Sequence, residues 1–78
     1  MSLIKSIMPM EDYTLEVTLD NGSNLILYLG GKLHTMRFGM LADKAFFKRA
    51  TTDGSYIRWG NKIEISINEV IQLAHIKF

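Results

Sequence analysis

Tyr56-Ile57-Arg58-Trp59-Gly60-Asn61-Lys62-Ile63-Glu64-Ile65-Ser66-Ile67-Asn68-Glu69 carries the only tryptophan of the 78-residue chain and changes period partway along. Side chains alternate along a strand, so Ile57 and Trp59 fall on one face and Tyr56 and Arg58 on the other. The alternation resumes at Ile63, Ile65 and Ile67 against Lys62, Glu64 and Ser66, with Gly60-Asn61 between as a turn dipeptide. Two short strands folded back on each other follow from this. Ser66 with Glu69 three residues later is a capping box, in which each side chain serves a free backbone N–H at a helix start. Val70, Ile71, Leu73 and Ala74 give that helix its apolar stripe.

Working back toward the N-terminus, residues 4–8 read as a strand ended by Pro9, which donates no ladder hydrogen bond and opens the turn Pro9-Met10-Glu11-Asp12. Tyr13, Leu15, Val17 and Leu19 then alternate with Thr14, Glu16, Thr18 and Asp20, the pattern of a half-buried antiparallel strand. Asn21-Gly22 predicts a tight type I′ hairpin. The third strand, residues 24–29, places Leu25, Leu27 and Leu29 on the shared face and Ile26 and Tyr28 opposite. A strand apolar on both faces is central, covered by a helix, or at an interface. Between Lys32 and Ala45, Leu33, Met36, Met40 and Leu41 recur at helical spacing around Gly39, which predicts a short, irregular helix. Residues 46–51 read as a fourth strand, turning through Thr52-Asp53-Gly54-Ser55 into the strand with Trp59. The expected fold is α+β, one domain over residues 1–78. It has a small antiparallel sheet of about five to six short strands, one irregular central helix and a C-terminal helix.

A chain of this size buries about 60 to 65% of its unfolded surface and has a net stability of about 4 to 8 kcal/mol. It has no cysteine, so neither a disulfide framework nor a thiolate metal site assists the core. No apolar run approaches a membrane span, and the opening Met-Ser-Leu-Ile-Lys-Ser-Ile-Met is too short and interrupted for a signal peptide, so a cytoplasmic protein with no membrane contact is expected. The net charge is +1, unlike a dedicated nucleic-acid binder. Its distribution is uneven: Lys5 against Glu11, Asp12, Glu16 and Asp20 leaves residues 1–29 at −3, and Lys32, Arg37, Lys44, Lys48 and Arg49 against Asp43 leave residues 30–50 at +4.

The order of landmarks resembles the bacterial domain-of-unknown-function family 2442 over nearly the whole chain. Glu11-Asp12-Tyr13, Asn21-Gly22, Leu41-Ala42-Asp43 with Phe47, Trp59-Gly60-Asn61 and Ile63-Glu64-Ile65 carry the resemblance. The chain departs after the tryptophan, with Gly60-Asn61-Lys62 where members often have Pro-Asn-Gly. The resemblance implies a compact α+β domain with no established activity and no catalytic residue to carry over. Some members neighbour DNA-binding or toxin–antitoxin elements, which implies a regulatory or partner-binding role.

No catalytic constellation is visible, and none is expected. His34 and His75 stand far apart in sequence, with no ligand at i+4 to form a zinc pair, and read as solvent-facing or capping residues. Ser66 is accounted for by its cap, and Trp59, sharing a face with Ile57, reads as core rather than as a ligand platform. No cofactor and no metal is called for. The expected function is a binding or regulatory module acting through contacts with a protein partner or a second copy. Ile26 and Tyr28 on one strand and Tyr56 and Arg58 on another are its candidate contacts. The alternative is a nucleic-acid-associated or toxin–antitoxin-type regulator using the basic 32–49 region, with Lys44, Lys48 and Arg49 beside Phe46.

Overall fold

The computed structural model describes the backbone of residues 3–77 and the side chains of residues 3–74. Seven strands and two helices follow one another as β1 (Ile4–Met10), β2 (Thr14–Leu19), β3 (Asn24–Tyr28), α1 (Lys44–Phe47), β4 (Thr51–Thr52), β5 (Tyr56–Trp59), β6 (Ile63–Ser66), α2 (Ile67–Leu73) and β7 (His75–Lys77). The class is α+β with antiparallel pairing throughout. The strands divide into a four-stranded sheet, β1-β2-β3-β7, and a three-stranded sheet, β4-β5-β6. Ile4 N–H donating to the Gly54 carbonyl at 2.8 Å links the two.

One core lies between the sheets. Leu15, Val17, Leu19, Leu25 and Leu27 come from the first sheet, Leu29 from just beyond β3, and Ile57, Trp59, Ile63 and Ile65 from the second sheet. The period-2 pattern dictates this, because one register fixes which face every apolar side chain takes. Register pairs Leu15 with Leu27 and Val17 with Leu25 across β2 and β3, and Ile57 with Ile65 and Trp59 with Ile63 across β5 and β6. Trp59 is fully buried. Its Nε1–H donates to the Phe47 carbonyl at 2.9 Å, and Phe47 stacks on its ring at 6.2 Å while Tyr13 meets Phe47 edge-on at 5.6 Å. The Tyr13 hydroxyl donates to the Ala42 carbonyl at 2.6 Å, so one aromatic column ties the first turn, the central segment and the second sheet together.

Several local expectations are corrected. β1 does not stop before Pro9 but runs through it, with Pro9 opposite Leu15. As the edge strand it has one neighbour only, so the missing N–H on the open side removes no ladder bond. The turn that follows holds Asp12 and Tyr13 at φ of 60° and 59°, a strained pair held by the Tyr13 ring and hydroxyl contacts. The Asn21-Gly22 hairpin is not type I′: only Gly22 has positive φ. Gly22 N–H donates to the Leu19 carbonyl and Leu19 N–H to the Ser23 carbonyl, a type I turn closed by a glycine bulge.

The central helix over residues 32–45 resolves into two 3-10 turns, Gly30–Lys32 and Gly39–Ala42, and the single turn of α1. Met36 is fully exposed while Phe38 and Leu41 fill the core. The expected fourth strand over residues 46–51 is displaced, because Asp43 accepts from Ala45 N–H at 3.0 Å and Phe46 N–H at 3.3 Å and caps α1. Pairing begins only at β4. At α2 the Ser66 hydroxyl accepts from Glu69 N–H at 3.3 Å, but the Glu69 carboxylate turns chiefly to Arg37. Ile67 and Val70 are buried, whereas Ile71 is exposed and Ala74 lies beyond the helix. β7, not anticipated, takes the second edge of β3 with Ile76 opposite Leu25. Among the described residues no helix is long and apolar enough to cross a membrane.

Candidate binding surfaces

The face of the four-stranded sheet turned away from the core is the first candidate. Register places Met8 opposite Glu16 and Glu16 opposite Ile26, and in the next row Met10 opposite Thr14 and Thr14 opposite Tyr28. Directly opposed side chains are near enough to form one surface. Met8 is 61% exposed, Met10 43% and Tyr28 58%, and Ile26 is half-buried between them. The expected contacts Ile26 and Tyr28 therefore share this face, on a central strand, one of the three placements that two-sided apolarity allows. Met8 and Met10 extend the patch, and the proline between them conceals this in the sequence, where it marks a strand's end. Glu11 and Asp12, both exposed, follow Met10 at its margin.

Tyr56 and Arg58 also share a face, but Arg58 is engaged within the chain. Its guanidinium donates to Asp53 at 2.6 Å and Glu64 at 2.8 Å and lies 5.0 Å from the centroid of the Tyr56 ring. Asp53 also accepts from the Ser55 and Tyr56 backbone N–H groups, both at 3.0 Å. The Arg58 hydrogen bond first, and these two after it, pull the Asp53 carboxyl down to about 2. Its folded value lies below the unfolded one, so its stabilising contribution is complete above the ordinary value of 3.8 and is lost as pH falls toward about 2. An acid titration followed by circular dichroism is expected to lose a smaller stability increment across that window in Asp53→Asn than in the parent chain.

The basic middle segment does not form one patch. Arg37 donates to both carboxylate oxygens of Glu69, at 2.6 and 2.8 Å, and to the Glu64 carbonyl at 2.8 Å. The hydrogen bond to Arg37 lowers the Glu69 carboxyl, and the one to Glu69 raises the Arg37 guanidinium. This clamp fastens the irregular central segment onto α2. The pair is half-exposed, so Arg37→Ala is expected to lower stability by under about 1 kcal/mol in urea unfolding, and by less at high salt. Lys44 and Lys48 are exposed but line the same shallow depression as Glu11 and Asp12, where the charge is mixed.

Arg49 lines a sizeable cleft, of about 460 Å³, with Met40, Phe46, Thr51, Gly60, Asn61 and Lys62. A second depression, about 370 Å³, shares Gly60, Asn61 and Lys62 with it and is otherwise lined by Arg58, Ile63 and Glu64. Lys62 was not expected at any site, since nothing in sequence joins it to Arg49. His34 is exposed, and the side chain of His75 lies outside the described residues. Among the described residues no group of three His, Asp or Glu side chains is placed to hold a metal ion. Comparison with family models, with curated proteins and with solved structures returns no match, so the resemblance to family 2442 rests on the residues quoted for it.

Proposed function

We propose that this chain is a non-enzymatic docking module that takes up a protein partner on the outer face of its four-stranded sheet. The observation that carries the reading is the set Met8, Met10, Ile26 and Tyr28, brought onto one face by register and left uncovered by either helix or by the second sheet. Two exposed methionines on the edge strand gain a folded chain of this size little, whereas adaptable methionines beside a partly exposed tyrosine suit an interface. Residues 1–29, which supply β1, β2 and β3, carry a net charge of −3, which favours a partner surface bearing basic residues over a second copy, whose own sheet would oppose like charges.

Sedimentation velocity of the purified chain at low micromolar concentration is expected to give a monomer. Affinity capture from the host is expected to retain a partner that the Met8→Lys, Tyr28→Lys double variant releases while keeping its fold. A dimer abolished by that same variant would make the occupant a second copy and overturn the choice of partner. Equal capture by parent and variant would overturn the face.

A further inference from the structure

The cleft between α1 and the β5–β6 turn is separate from the outer sheet face and differs from it in chemistry. Met40 and the half-buried Phe46 ring line the cleft, and among the described residues both its charges are positive, from Arg49 and Lys62, with no carboxylate in its lining. Arg37 and Arg58 are occupied by carboxylates inside the chain. Among the described residues Arg49 and Lys62 have no such partner. Gly60, at φ of +60°, makes the turn possible and brings the backbone beside the Phe46 ring, where a Cβ would be in ordinary contact with Phe46 Cε1 at 3.8 Å. Its volume of about 460 Å³ falls in the range of small-molecule sites, roughly 300 to 1,000 Å³. A flat apolar ring wall beside two uncompensated cations selects a ligand with a planar ring at one end and an anion at the other. Arg and Lys together suit a phosphate, by forked hydrogen bonds from one and point charge from the other.

We infer that this cleft binds a nucleoside phosphate, its base against Phe46 and Met40 and its phosphate between Arg49 and Lys62. The unit is either a free mononucleotide or one nucleotide of a single strand. Stacking on Phe46 tolerates any base, and the two cations supply a salt-dependent hold on the backbone or terminal phosphate. The site is independent of the docking face.

The test is a titration followed through the backbone amide resonances of Gly60, Asn61 and Lys62, with AMP, adenosine, inorganic phosphate and an eight-residue oligouridylate as probes. AMP is expected to shift these resonances at concentrations about tenfold below those needed for adenosine or phosphate. The Arg49→Glu, Lys62→Glu double variant, exposed at both positions and expected to fold, is expected to weaken AMP binding at least about tenfold. Phe46→Leu is expected to abolish the preference for AMP over phosphate. Tighter binding of the oligouridylate than of AMP, with a steeper salt dependence, assigns the site to single-stranded nucleic acid; equal or weaker binding assigns it to a mononucleotide. No shift with either nucleotide at millimolar concentration, shifts confined to β1 and β3, or an unchanged titration in the charge-reversed variant would overturn the inference. The first and the last of these three results leave the docking face untouched, whereas shifts confined to β1 and β3 would move the nucleotide to it.

Discussion

Trp59→Ala is expected to lower the unfolding free energy by about 3 to 5 kcal/mol, most of what a chain of this length has. The side chain is fully buried where the two sheets meet, and its ring forms one end of the column through Phe47 to Tyr13. Truncation removes the ring on which Phe47 stacks and opens a cavity in the core. It also leaves the Phe47 carbonyl without the indole N–H that it accepts from at 2.9 Å. Trp59→Phe keeps much of the volume and loses the donor, so its expected cost is smaller, about 1 to 3 kcal/mol. Urea unfolding should find the alanine variant largely unfolded near room temperature and the phenylalanine variant folded with a lower midpoint. An alanine variant within about 1 kcal/mol of the parent would place the tryptophan outside the core.

The second large effect is a contrast between neighbours on β3. Leu27 is fully buried opposite Leu15, and Tyr28 is 58% exposed on the other face. Leu27→Ala is expected to cost about 2 to 5 kcal/mol, and Tyr28→Ala under about 1 kcal/mol, as befits an exposed position. The difference arises only if β3 is covered on one face and open on the other. Denaturant midpoints of the two variants measure it; similar losses would mean that something in the chain already covers the outer face.

The pattern that made Leu27 and Trp59 readable as core is the same one that made Ile26 and Tyr28 readable as an outer face. Period-2 alternation assigns faces wherever a strand is half-buried, and Ile57, Trp59, Ile63 and Ile65 were assigned by it correctly. Pro9 misled because a proline interrupts an interior strand but not an edge strand, and edge position is a property of the whole sheet. Phe46 and Phe47 suggested a strand by residue type, whereas Asp43, three and four positions earlier, makes hydrogen bonds that impose a helical turn. The Arg37–Glu69 clamp joins residues 32 positions apart, and the meeting of Arg49 with Lys62 likewise depends on the second sheet folding back. No local period encodes either. β7 is only three residues long, too short for alternation to distinguish it from the end of a helix.

Photo-crosslinking from the outer sheet face inside the host tests the docking proposal most directly. Benzoylphenylalanine in place of Tyr28 is expected to give discrete protein adducts, and the same residue in place of Met36, more open to solvent but on the irregular central segment, is expected to give none of them. No adducts from position 28, or the same adducts from both positions, would contradict the account.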